Sequence, residues 1–377
     1  MNWLRKNLFS TWYNSLFTIT CLVIIFFFGW NFVNWIFTQA QWQVVETNLR
    51  IFMVGRYPQP LYGRVWISSL IACTLTFLTT GVFFAKQNIP KLAIVITAFL
   101  FSFLLIVLPV NTNSRLWLIG IEFSIVISFL LGKKLSKFIS PYLAFAWLLS
   151  FPIILYLIGG GLGLRSVSSS DWNGLLLTLL MAAISIFLSF PIGILLALGR
   201  TSDLPVVKWF SILYIEIIRG LPLIGILFLA QVMLPLFLPI RLDRVLRGVA
   251  GLILFSAAYM AENIRGGLQS VPRGQVEAAK VLGLNPALVL LLIVLPQALR
   301  AVIPAIVGQF IGLFKDTSLL SLVGLLELTG IARSILAQPE FLGRYAEVYL
   351  FIGLIYWVFC YSMSLASRKL ETASSEQ

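Results

Sequence analysis

Residues 275–296, QVEAAKVLGLNPALVLLLIVLP, decide how the rest of the chain is read. They spell a short polar helix, a sharp break and the start of a long apolar helix. Ser270 and Pro272 offer a start signal for the polar helix, and Gly283 stands where a left-handed helix stop would fall. Asn285 followed by Pro286 pairs a cap residue with a first-turn proline, so the loop is built rather than slack. Val276, Ala279 and Leu282 share one face at i, i+3 and i+6 spacing, while Glu277 and Lys280 turn elsewhere. A short amphipathic helix of this kind can lie on a bilayer surface or enter a groove on a partner, and its own spacing leaves both open.

Outward from this stretch the composition is that of a membrane protein. Of 377 residues, 59% are hydrophobic and 11% charged, where soluble chains carry about a quarter charged. The net charge of +13 does not indicate a nucleic-acid partner, because the basic residues are dispersed among apolar spans and form no stripe. With no histidine the chain has no Ser-His triad and lacks the commonest general base and metal ligand. Cys21, Cys73 and Cys360 lie far apart in apolar runs, with no metal or redox spacing, and read as buried thiols. No G-x-S-x-G elbow and no phosphate-binding G-x-x-x-x-G-K-[ST] occurs; the Gly159 to Gly163 run reads as a connection between spans. If ATP powers this protein, another chain binds it.

Crossing the hydrocarbon core takes about 20 mostly apolar residues. Ten segments qualify, which predicts an all-α polytopic membrane protein. The first, Tyr13 to Phe37, is too long for a signal peptide, lacks a cleavage pattern and reads as a retained anchor. Thr38 to Arg64 is too polar to cross and reads as an external loop, with Trp42, Tyr57, Tyr62 and Trp66 at the headgroup level. Spans are then expected at Val65 to Ala85, Lys91 to Val110, Leu116 to Leu131 and Tyr142 to Ile158. After a Gly/Ser-rich boundary at Gly159 to Ser170 come Trp172 to Leu198, Val207 to Leu238, Gly248 to Ala261, Pro286 to Phe314 and Tyr345 to Ser367. The Val207 segment is so long that part of it must be broken, tilted or outside the bilayer. This divides the chain into residues 1–170, a five-span region with its external loop near 38–64; residues 171–370, a second five-span region containing the loop 262–300; and a solvated tail, 371–377.

Lysine placement orients the chain. With both termini cytoplasmic, every lysine except Lys315 falls on the cytoplasmic side, as does the loop at Gln275. Arg50, Arg56, Arg64, Arg241, Arg244 and Arg247 fall outside, against the trend. Prolines 191, 222, 296 and 304 interrupt helical segments, which membranes tolerate where neighbours or a cavity satisfy the freed backbone, so a pathway between helices is expected.

Glu277-Ala278-Ala279, Gly283, Ile293 and Leu295-Pro296 match the spacing of the EAA loop of binding-protein-dependent ABC importer permeases. Glu262 to Leu268, Val271 to Gln275, Pro296 to Arg300 and Lys315 to Leu319 resemble the polar amino-acid group of that family, over roughly Trp172 to Arg368. The resemblance implies a five-helix importer-permease core of the type I kind in the bacterial inner membrane, with the first 170 residues as an extension found in some members. It implies that Glu277, Ala278, Ala279, Leu282 and Gly283 couple to a pair of ABC ATPase subunits that bind ATP and Mg, this chain holding no cofactor. It also implies a second permease, related or another copy, an extracytoplasmic amino-acid-binding protein and an amino-acid substrate.

Intramembrane charges are the pathway or substrate candidates. Glu216 and Arg219 are three apart and can meet on one helix face, as a structural pair or beside the pathway. Glu262 and Arg265 share that spacing and read as a locking pair. Lys315 and Asp316, near the outer end of the span from Pro286, have no charged i±4 neighbour, so their partners come from elsewhere: a ligand's carboxylate and ammonium, or an external gate where the helix ends. Thr317, Ser318 and Gln309 are weaker candidates. An ion-driven secondary transporter would share the span count but has no use for the 275–296 loop. A membrane enzyme would need convergent acids, histidines or a metal site.

Overall fold

The computed structural model describes residues 2–85, 111–237 and 242–375. Every named element among them is a helix. Eight helices are long and apolar enough to cross a membrane, nine if one bent pair counts as a span. The expected span Lys91 to Val110 lies outside the described residues, so the rest accords with about ten.

The first span, α1 (Trp12–Thr38), has no buried side chain. The segment after it is not a slack loop: α2 (Gln43–Val54) buries Val44, Val45, Asn48, Leu49 and Phe52 on one face. Tyr57, expected among the headgroups, is a core residue instead, 2% exposed, its hydroxyl donating to the Ile158 carbonyl at 2.9 Å. α3 (Tyr62–Phe83), α4 (Thr112–Lys134) and α5 (Ser136–Gly159) form a bundle. Its closest crossing is at Gly81 and Gly132, where a Cβ would come within 2.3 Å of the Phe129 and Leu78 carbonyls. The 159–163 connection is a glycine turn with positive φ at Gly160, Gly161 and Gly163. The three thiols are half-buried rather than buried.

In the rest of the chain α6 (Gly174–Arg200) and α9 (Arg244–Ser270) pack on one another and form the centre of the bundle. Between these two, α7 (Pro205–Gly220) and α8 (Leu223–Phe237) meet at 105°. Leu221 is extended (φ −97°, ψ 140°) as the residue before Pro222, which breaks the long segment as its length required. α10 (Arg273–Val281) and α11 (Pro286–Ala301) follow α9, then α12 (Ile303–Asp316), which continues as a 3₁₀ turn through Val323. The single span expected from Pro286 to Phe314 is therefore corrected: the chain breaks at Val302, and Ile303–Val323 is the crossing segment. Pro296 and Pro304 each remove a backbone donor on either side of that break. α11 packs instead along the end of α9, so closely that a Cβ on Gly267 would meet the Ala298 carbonyl at 2.5 Å. α13 (Leu328–Leu336) and α14 (Tyr345–Ser375) complete the fold.

α2 ties the first part of the chain to the second. Its apolar face packs on Leu328, Ile331, Ala332, Ile335, Val348 and Ile352 of α13 and α14. The Gln41 amide donates to Glu347 Oε1 at 3.0 Å and the Arg56 amide to Asn173 Oδ1 at 3.2 Å. Gly174, at φ +61°, sits where a Cβ would lie 2.4 Å from the Phe52 carbonyl.

Candidate coupling loop and pathway residues

α10 follows α9 after only Val271 and Pro272. Pro272, extended at ψ 136°, is its N-cap residue, and Ser270 is not: the Ser270 hydroxyl donates to the Gly267 carbonyl at 2.8 Å and so closes α9. The stop is as the sequence implies. Gly283 has φ +80°, the Leu284 amide reaches back to the Ala279 carbonyl at 3.2 Å, and Asn285 Oδ1 accepts from the Leu288 amide at 2.8 Å.

The expected common face of Val276, Ala279 and Leu282 is split. Ala279 is buried and Val276 half-buried, but Leu282 is 81% exposed, beside Val281 at 88%. Leu282 has already left helical geometry (ψ 5°), which turns it outward. Glu277 and Ala278 are exposed as well. The loop thus presents two adjacent apolar side chains at its tip.

The Glu216–Arg219 pair does not form. Arg200, in the last turn of α6, reaches Glu216 at 2.9 Å and Glu262 at 3.4 Å, while Arg219 reaches Glu262 at 3.7 Å. The Glu262–Arg265 contact expected from spacing is present, with Arg265 Nε at 3.1 Å from Oε1. Arg219 also lies over the Tyr259 ring, 5.5 Å from its centroid. Arg200 escaped the sequence reading because its partners are 16 and 62 residues away; its signal was a lone cation in the last turn of a span.

Lys315 and Asp316 lie well inside the shortened span, at the change from α to 3₁₀ winding, rather than near an outer end. Lys315 is exposed, Asp316 half-buried, and neither forms an ion pair among the described residues. Thr317 is fully buried, its hydroxyl donating to the Phe314 carbonyl at 2.6 Å. Ser318 and Gln309 are half-buried. No hydrogen bond or ion pair among the described residues links this group to the Glu262 cluster. A cavity of about 460 Å³, lined by Arg50, Tyr62, Trp66, Asn113 and Trp117 among others, contains none of these candidates.

Glu327 was missed altogether. Fully buried, it caps α13, accepting from the Thr329 and Gly330 amides at 2.8 Å each and from the Tyr356 hydroxyl at 3.1 Å. Burial pushes its carboxyl up to about 7, against the pull of those donors. A single acid in the run LSLVGLLELTG was the available signal.

Apolar crossing helices, a bent span and a protruding apolar loop are the parts of a membrane permease, a transport subunit rather than an enzyme. The family model described as the binding-protein-dependent transport system inner membrane component matches residues 189–374. The inner membrane amino-acid ABC transporter permease protein YhdY of Escherichia coli (strain K12) is 36% identical, over 98% of this chain and 92% of its own length. The glutamate/glutamine/aspartate/asparagine transport system permease protein BztC of Rhodobacter capsulatus is also 36% identical, over 98% of this chain and 93% of its own. A crystal structure of an amino acid ABC transporter with histidines aligns with 33% identity and a TM-score of 0.49, covering 53% of this chain and 92% of that one. The chain belongs to the family of binding-protein-dependent transport-system inner membrane components, as a multi-pass permease.

Proposed function

We propose that this chain is the membrane-spanning permease subunit of an ATP-driven amino-acid importer, with its 275–296 loop seated on an ATPase subunit. The exposed Val281–Leu282 tip carries this reading: two apolar side chains held outward by a capped turn are suited to a groove on a partner, and α10 is joined to α9 through two residues. Glu277, Ala278 and Ala279 line the same helix. ATP and Mg are bound by the ATPase pair, whose opening and closing moves the loop. An extracytoplasmic binding protein delivers the amino acid, and a second permease, related or identical, completes the pathway. Relatives named as amino-acid permeases support the substrate class.

On this reading residues 171–370 are the permease core and residues 1–170 an extension. Both termini and the coupling loop are cytoplasmic, in a bacterial inner membrane. Lys315 and Asp316, with Ser318 and Gln309 beside them, face the pathway as ligands or as a gate, and buried Thr317 supports them from behind.

The test is Gly283→Val in the assembled transporter. A β-branched residue at φ +80° strains the turn that aims Leu282. Uptake energised by ATP is expected to be lost while the protein still reaches the membrane, and the purified chain alone is expected to show no ATPase activity. Normal ATP-dependent uptake by the variant would remove the loop from the mechanism.

A further inference from the structure

The Glu262 cluster does more than staple helices. It joins three elements: the end of α6, α7, and α9, which is linked to α10 through Val271 and Pro272. Glu262 lies eight residues before the end of α9 at Ser270, about 12 Å along the helix at ~1.5 Å per residue, and Val271 and Pro272 then lead into α10. Displacement of α10 is passed along α9 to the place where α7 is held. α7 in turn ends at the bend to α8, whose Leu223 and Leu227 pack with Leu177, Leu252 and Leu313. Any force on Glu216 or Arg219 is therefore applied next to that bend.

The chemistry of the cluster allows two pairings. Three arginines compete for two carboxylates, and one of these, Glu262, is approached by all three. Arg219 makes the longest contact, and its Nε is buried without a partner. Arg200 is shared between Glu216 and Glu262. Arg219 stands three residues after Glu216 on the same helix, within reach of the intrahelical pair that this structure does not form. A small shift of α9 exchanges the interhelical set, in which Arg200 and Arg219 bridge α7 to Glu262, for an intrahelical set of Glu216 with Arg219 and Glu262 with Arg265. Each carboxylate keeps an arginine throughout, and Arg200, whose side chain is 22% exposed, is the one charge released towards solvent.

We propose that Glu262 is a positioning residue for transport: by trading arginines between α6, α7 and its own helix, it transmits movement of the coupling loop to the bent span. This rests on the importer reading above.

The experiment uses the complete transporter in proteoliposomes, measuring binding-protein-stimulated ATP hydrolysis and amino-acid uptake separately. For Glu262→Gln, hydrolysis is expected to persist while uptake per ATP falls about tenfold, the size of a typical coupling between sites. Glu262→Asp, which keeps the charge, should recover part of the ratio. Arg200→Gln, which removes two of the contacts but leaves Arg219 and Arg265 on Glu262, should lower it by less, and it serves as the test if Glu262→Gln does not assemble. Uptake and hydrolysis falling together, with an unchanged ratio, would overturn the proposal and make the cluster a staple. Failure of the importer reading looks different: the unaltered transporter would then show no ATP-dependent uptake at all.

Discussion

Glu327 is a carboxyl group placed where only peptide amides and hydroxyls reach it. Its value of about 7 lies above the ordinary 4.5 because burial outweighs the hydrogen bonds it accepts. The folded chain therefore holds a proton that the unfolded chain releases between those two values. Stability from this residue is largest below the unfolded value and falls as pH rises through the folded one. Thermal unfolding in detergent is expected at a higher temperature at about pH 5 than at about pH 8, and Glu327→Gln should flatten that difference. A difference undiminished in the variant would assign the effect elsewhere. Lys315 and Asp316 make the opposite case, charges that form no ion pair among the described residues. Competition among amino acids for uptake by Lys315→Ala and Asp316→Asn variants, with binding-protein affinity measured apart, is expected to show altered apparent affinity or selectivity. Unaltered transport of every substrate would move the site towards Glu216, Arg219 and Gln309.

Among the elements, α2 is an amphipathic helix whose apolar face is covered by protein. Phe52 is fully buried and meets Phe351 edge-on at 5.2 Å. Phe52→Ala should destabilise the fold by about 3 kcal/mol, read as a lower unfolding temperature and faster proteolysis between α2 and α3. Here the sequence was only half legible. Glu46, Arg50 and Arg56 argue against a span, and α2, at 12 residues, is not among the helices long and apolar enough to cross, but its apolar face finds its partners almost three hundred residues later, beyond any local pattern. Spans were readable because each needs only its own hydropathy. So was the turn at Gly283 to Pro286, where cap and backbone requirements are local. The break at Val302 was not, since two prolines that kinked helices tolerate also end them. Nor was the reach of Arg200: i, i+3 spacing gives Glu262 with Arg265, which forms, and Glu216 with Arg219, which does not, and cannot see Arg200 arriving from another helix.

At the scale of the whole molecule, the orientation drawn from lysine placement has a direct check. Single cysteines at Gln43 and Gln275 of a cysteine-free chain should differ in labelling by an impermeant reagent on cells stripped of any outer barrier: Gln43 labelled, Gln275 protected. The reverse pattern would invert the topology and take the coupling assignment with it. The clasp between α2 and α13 also bears on how the protein is made. α2 emerges early, with Val44, Val45 and Phe52 uncovered, and its cover is synthesised only when Leu328 to Ile352 arrive near the end. A chain halted before that point carries an open apolar stripe, in reach of proteases and chaperones.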